Sequence, residues 1–294
     1  MTSRVPDQTS PTRSSSPSPL HGEWTSVDGY RLFARVGERP GSAHGLPIVL
    51  VHGLGVSSRY LEPLANRLAA THPVHAPDLP GHGQSEHPSR VLGVRELSQV
   101  LESYLDAAGI DRAAIVANSL GCQIAVDLAA RSPERVATLA LIGPTGDPAL
   151  RSVASYTARL VASAPFERPS LVAIVAAEYF EAGPRRVLAE VKAMIADRVA
   201  DRLPRVQCPC LVIRGERDRI VRQAWAERVA TALRAPPPSV ISGWGHAVHY
   251  SAPSRVEALV RPLLGAATED RLRPRVLGDR PDLGRGEWGM GRHG

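Results

Sequence analysis

The chain has 294 residues, a formal net charge of +6 and three cysteines, long enough to bury a substantial core with no need of a metal or disulfide staple. Its cations are scattered and almost all arginine, with Lys192 the single lysine, a distribution that argues against nucleic acid as a partner. No run reaches the ~18 apolar residues of a membrane-spanning helix, and the N-terminal MTSRVPDQTSPTRSSSPSPL has no apolar segment to act as a secretory leader, so a cytoplasmic protein with no membrane span is expected.

Taken in chain order, residues 1–22 are rich in Pro and Ser and read as a disordered tail. Glu23 to Val36 reads as two strands about the turn signal Asp28-Gly29. Ile48 to Val51 is a short apolar run ending at His52-Gly53; it is followed by the helical pattern SSRYLEPLANRLAA and a strand at Pro73 to Ala76. GVRELSQVLESYLDAAG continues as a helix, AAIVA as a strand, Gln123 to Ala130 as a helix and Val136 to Gly143 as a strand. Such alternation predicts a parallel sheet with helices on both faces. Between Asp147 and Arg205 there is no strand-like run, only helical stretches such as SLVAIVAAEYF and RVLAEVKAMIADRVA. Strand CLVIR, helix RQAWAERVATAL, strand Ser239 to Ile241 and helix SRVEALVRPLLGA then resume the alternation. The expected organisation is one α/β domain, residues 23–146 and 206–266, with a helical cap at 147–205 and a second disordered tail at 267–294.

In parallel sheets reactive groups gather just beyond the carboxyl ends of the strands. Those positions hold HGLG after the third strand, Asn118-Ser119-Leu120-Gly121 after the fifth, GERD with Asp218 after CLVIR, and GWGH with His246 after the last strand. A serine hydroxyl near neutral pH is a weak nucleophile; it needs an imidazole to take its proton and a carboxylate to fix the tautomer of that imidazole. Ser119 sits where a strand must turn sharply into a helix, and such a turn wants small residues two before and two after it. Here they are Ala117 and Gly121, an AxSxG in place of the usual GxSxG.

With VHGLG, APDLPGHGQS, ANSLGC, LVIRGERDRIV and GWGHAVHYSAP in this order, the chain resembles the α/β-hydrolase family, specifically its capped members, over roughly residues 23–266. The resemblance implies a mostly parallel, doubly wound eight-stranded sheet with the cap inserted after strand 6. It also implies Ser119 as nucleophile, His246 as general base and acid, Asp218 as orienting acid, and an oxyanion hole from the backbone N–H groups of Leu54 and Leu120. The sequence departs from the family at Ala117, and at Ser251, where relatives often carry an acidic residue. No cofactor and no metal are implied.

Other residues have blander readings. His52 reads as a structural hydrogen-bonder in the HG turn, and Asp78 and His82 as parts of a glycine-shaped loop beside the site. His249 is the rival base and Glu216 the fallback orienter. Cys122 reads as packing, as do Cys208 and Cys210, since a CxC pair opening an apolar run is a poor zinc signal and free thiols are expected. Glu190, Asp197 and Asp201 read as solvated charges on the helical segment, where Arg185 and Arg186 are candidates for a substrate carboxylate. The function expected is hydrolysis of a small ester, thioester or lactone, with an apolar acyl or ring pocket lined by AEYF and VASAPF of the cap. Asn118 before the serine resembles relatives that cleave carbon–carbon bonds in vinylogous diketones, and the same triad would serve a perhydrolase or haloperoxidase-like enzyme. A ligand-binding, receptor-like protein on the same fold is the alternative outside enzymes.

Overall fold

The computed structural model describes residues 20–37, 45–150 and 152–272. Eight strands, β1 (Leu20–Val27), β2 (Tyr30–Gly37), β3 (Ile48–Val51), β4 (Val74–Pro77), β5 (Ala113–Asn118), β6 (Val136–Ile142), β7 (Cys210–Gly215) and β8 (Ser239–Ile241), form one sheet in the order β1-β2-β4-β3-β5-β6-β7-β8. The β1–β2 and β2–β4 pairs are antiparallel and the rest parallel. Asp28 and Gly29 both take positive φ, 50° and 81°, which matches the right-handed twist of the strands they join and closes Val27 onto Tyr30.

Central strands read as continuous apolar runs because both faces of the sheet are covered. Val49 and Val51 of β3, Ile115 and Ala117 of β5, and Leu139 and Leu141 of β6 enter one core. Their neighbours Ile48, Leu50, Ala114, Val116, Ala140 and Ile142 enter the other. Around the sheet lie α1 (Glu62–Leu68), α2 (Val94–Ala107), α3 (Leu120–Arg131), α7 (Gln223–Ala232), the single turn α8 (Val248–Ser251) and α9 (Pro253–Leu272). Between β6 and β7 come α4 (Val153–Ser163), α5 (Pro169–Ala182) and α6 (Pro184–Ala196). The sequence pattern marks α5 and α6; α4, which carries Tyr156 into the interior, is not singled out by it.

Two boundaries differ from expectation. The first strand starts at Leu20, inside the segment read as tail, because His21 and Gly22 pair with Val36 and Arg35 despite the polar composition there. The last helix runs through Leu272, beyond the expected end of the core at 266. The remaining parts of both tails lie outside the described residues. Among the described residues no helix is long and apolar enough to cross a membrane.

Candidate active site

Ser119 occupies the single residue between β5 and α3 with φ 57° and ψ −120°. A non-glycine residue held there costs on the order of 1–3 kcal/mol and persists only where its surroundings over-determine it. Those surroundings are visible. The Ser119 N–H donates to Ile142 O at 3.1 Å, and the Cys122 N–H donates to Ser119 O at 3.0 Å. Gly121 lets α3 cross β3 closely: a Cβ on it would lie 2.5 Å from the carbonyl oxygens of Val51 and His52. On the other side a Cβ at Gly53 would lie 3.1 Å from Ser119 Cβ. The Ala117 methyl, in contrast, is fully buried in the core without disturbing the turn.

The structure brings His246 and Asp218 together. His246 Nδ1–H donates to Asp218 Oδ2 at 2.8 Å, while Asp218 Oδ1 accepts the N–H groups of Ile220 and Val221 at 2.8 and 2.9 Å. The carboxylate is thus fixed at both oxygens, and the imidazole is left with a buried Nε2 that has no hydrogen-bond partner. Gly143 makes room for this pair, since a Cβ there would lie 2.7 Å from His246 Cε1 and 2.8 Å from Nδ1. Burial pulls the His246 pKa down, but the neighbouring carboxylates of Asp218 and Glu167 outweigh it, and the net effect raises the pKa above its usual 6.5.

Ser119 and His246 line a cavity of about 240 Å3, together with apolar side chains of α4 and α5 that include Leu160, Leu171, Val172 and Val175. Tyr179 of the AEYF stretch and Ala164 of VASAPF line it too, whereas Phe180 is 88% exposed. No arginine or lysine is among the lining residues. Tyr156 reaches in from α4 to line the cavity beside Ser119, and burial pushes its pKa up to about 12. Tyr156 and Ile220 also line a second, larger cavity of about 800 Å3.

Leu54 borders the Ser119 cavity, and its carbonyl accepts from the Tyr179 hydroxyl at 3.2 Å. Leu120 is the first residue of α3, so its N–H belongs to the helix end, where no earlier residue of the helix supplies an acceptor.

The rival residues stand apart from the Asp218–His246 pair. Both ring nitrogens of His249 lack partners; the ring is fully buried against Tyr60, and burial, with the charge of His246, lowers its pKa to about 3. Glu216 accepts the Gly243 N–H at 2.8 Å on the surface. His52 is structural: Nδ1 pairs with Gly53 O, and Nε2 accepts the Leu79 N–H at 2.9 Å. Asp78 accepts the N–H groups of Ser58 and Gln84. Burial raises the Cys122 thiol, which donates to Ala117 O. All three cysteines are free.

Two readings of the helical segment change. Glu190 is buried, not solvated, with His82 Nε2 3.4 Å and Arg186 Nε 3.3 Å from its carboxylate. Arg186 also donates to Pro88 O, so it fastens the segment to the core and does not reach the Ser119 cavity. Asp197, half-buried, pairs with Arg202 at 2.6 Å, and the exposed Asp201 with Arg198 at 2.8 Å. Two residues facing the site, Tyr156 and Glu167, carry no signal in the sequence: one sits in an ordinary helical stretch and the other in the turn before α5, and each reaches the site only through the tertiary fold.

The model of the alpha/beta hydrolase family matches residues 48–259. The chain belongs to this family. Among its relatives, a 2-hydroxymuconate semialdehyde hydrolase of Pseudomonas putida is 40% identical over 133 residues, covering 44% of this chain and 45% of the relative. The chain spans less than half the length of such curated relatives, 38% in the case of a Mycobacterium tuberculosis protein that is 33% identical over 136 residues, or 46% of this chain. Among solved structures, the enol-lactonase of Burkholderia xenovorans LB400 superposes with a TM-score of 0.70 over 83% of this α/β-hydrolase and 100% of the enol-lactonase. At 21% identity that likeness speaks for the fold alone.

Proposed function

We propose that this α/β-hydrolase is a serine hydrolase that cleaves an uncharged ester, thioester or lactone through an acyl-enzyme at Ser119. The observation that carries this reading is His246, paired with Asp218 and with its Nε2 unbonded, lining the same apolar cavity as a serine held at positive φ. The Ser119 hydroxyl gives its proton to His246 Nε2 and attacks the carbonyl carbon. The resulting oxyanion is met by the N–H groups of Leu54 and Leu120. Collapse of this intermediate breaks the bond to the leaving oxygen or sulfur, which takes the proton back from Nε2; in a lactone the leaving oxygen stays tethered to the acyl group. A water then gives a proton to Nε2 and attacks the acyl carbon, and the acid departs as Ser119 regains its hydrogen. Asp218 holds the tautomer throughout.

The segment 147–205 acts as the cap, over a core formed by 23–146 and 206–266. A cavity of about 240 Å3 lies below the ~300–1,000 Å3 of drug-sized pockets, which favours short acyl groups over long chains. The absence of cations from its lining favours neutral substrates. A second reading, hydrolysis of a carbon–carbon bond, has the similarity to the Pseudomonas putida hydrolase in its favour. Against it, Asn118 is committed at both ends of its amide, accepting from the Tyr60 hydroxyl at 2.8 Å and donating to Ile142 O at 2.9 Å.

A turnover screen with acyl esters of increasing length, lactones and a ring-fission diketone, run beside Ser119→Ala, tests the proposal. Short neutral esters or lactones should turn over and Ser119→Ala should be inactive. Turnover of the diketone alone would replace the first reading with the second.

A further inference from the structure

The loop that carries His246 is fastened to the helical segment by a run of hydrogen bonds. The Gly245 N–H donates to Phe166 O at 3.0 Å. The N–H groups of His246 and Ala247 both donate to Glu167 Oε1, the second at 3.0 Å. Ser251 Oγ donates to Glu167 Oε2 at 3.2 Å, and Arg168 Nε donates to Ser251 O at 3.0 Å. Gly245 leaves the space for this clasp, since a Cβ on it would overlap the Glu167 carboxylate.

A buried carboxylate is costly unless its oxygens are satisfied or its charge is answered. Among the described residues Glu167 forms no ion pair with an arginine or lysine; both of its oxygens are spent on the histidine loop. Fixing two consecutive N–H groups fixes the backbone from which the imidazole projects. The ring is then held at two points, Nδ1 by Asp218 from the core and the backbone by Glu167 from the cap, and the direction of Nε2 follows.

We propose that Glu167 is a positioning residue for His246, aiming Nε2 at Ser119 only while the turn between α4 and α5 is docked, so that a cap in place is a condition for a working base. This rests on His246 being the base. The charged groups that face the imidazole are Asp218 and Arg214 from the sheet side and Glu167 from the cap, with His249 one turn on and Arg217 and Arg219 over the neighbouring Phe166 ring. Of these only Glu167 comes from the cap. Its charge also helps to hold the imidazole proton, so its removal lowers the pH at which the base becomes neutral.

The test uses the full chain, read by ester turnover, by the rate at which a fluorophosphonate labels Ser119, and by the His246 Nδ1–H signal in nitrogen-15 NMR, with folding checked by melting. Glu167→Ala should lower kcat and the labelling rate about 100-fold, the loss expected for a reacting group misplaced by about 1 Å, with KM little changed and the Nδ1–H signal broadened. Glu167→Gln keeps an acceptor for both N–H groups, so it should stay within about tenfold of the unaltered protein while its acid limb moves to lower pH. Ser251 already points at the same carboxylate, so Glu167→Ala with Ser251→Glu should regain at least tenfold of the lost rate. A Glu167→Ala protein with unchanged kcat, labelling and Nδ1–H signal overturns the proposal, as does a loss that neither Glu167→Gln nor Ser251→Glu relieves. If the unaltered protein is folded yet neither labels nor turns over, the serine-hydrolase reading has failed. The Nδ1–H signal still decides on Glu167 in that case: broadening in Glu167→Ala but not in Glu167→Gln supports the clasp, and no change refutes it.

Discussion

Replacing Gly143 by alanine tests the geometry beneath the imidazole. Gly143 has φ +56°, and the added methyl carbon would start 2.7 Å from His246 Cε1, 2.8 Å from Nδ1 and 3.3 Å from Asp218 Oδ2. Carbon atoms pack at about 3.5–4.0 Å, so ring and methyl must separate by on the order of 1 Å. The Asp218 hydrogen bond and the loop clasp oppose that movement. A shift of this size in a reacting group costs about 100-fold in rate, while the left-handed backbone costs an alanine roughly 1–2 kcal/mol, or several degrees of melting temperature. Gly109→Ala separates the two effects: its φ is +67° and nothing lies within 4 Å of the new methyl. Both variants should melt a few degrees early. Only Gly143→Ala should lose kcat/KM for an activated ester, by about 100-fold. A Gly143→Ala protein within about threefold of the unaltered one would refute the placement of His246 on which the mechanism depends.

Asp218→Asn keeps its shape but frees the imidazole to take the wrong tautomer, a change that costs about 10⁴-fold in a serine triad; steady-state kinetics showing less than a tenfold loss would exclude Asp218 as the orienting acid. Because the base must be neutral and its pKa is raised, the acid limb of kcat/KM for an uncharged ester should fall above pH ~6.5, with activity rising through neutrality; full activity persisting at pH ~4.5 would remove His246 as the base. Gly121→Ala would press a methyl against two backbone carbonyls with little room to give and should destabilise the fold by about 3 kcal/mol or more. Ala117→Gly should cost only about 0.5–1 kcal/mol and keep its activity; calorimetry that finds the two equal would contradict the tight approach of α3 to β3.

What the sequence made legible was local or periodic. Apolar runs such as IVLV and AAIVA follow from a sheet buried on both faces, and Ser119 stands out because a strand and a helix meet on it. The sequence separated His246 from His249 only by the GWG turn before it; in the structure one ring is hydrogen-bonded to Asp218 and the other is sealed against Tyr60. What stayed hidden depends on distance along the chain. Glu167 meets the His246 loop across 79 residues, and no pattern of spacing marks a glutamate in a turn between helices as the partner of a distant backbone. Tyr156 sits in an unremarkable helical stretch, and its approach to Ser119 comes from how α4 packs. Glu190 was legible as a charge but not as a buried one, since beside Arg186 of its own helix it meets His82 from a distant stretch of the chain. At Leu20, composition misled, because backbone pairing with β2 needs no apolar side chain.

The central claim is that Ser119 is a nucleophile activated by His246. The most direct measurement is peptide mass spectrometry of the folded protein after exposure to a fluorophosphonate. The account predicts one stoichiometric adduct on the peptide that contains Ser119, absent in Ser119→Ala and at least about 100-fold slower to form in His246→Ala. A folded protein that stays unlabelled, or that is labelled equally fast without His246, would contradict it.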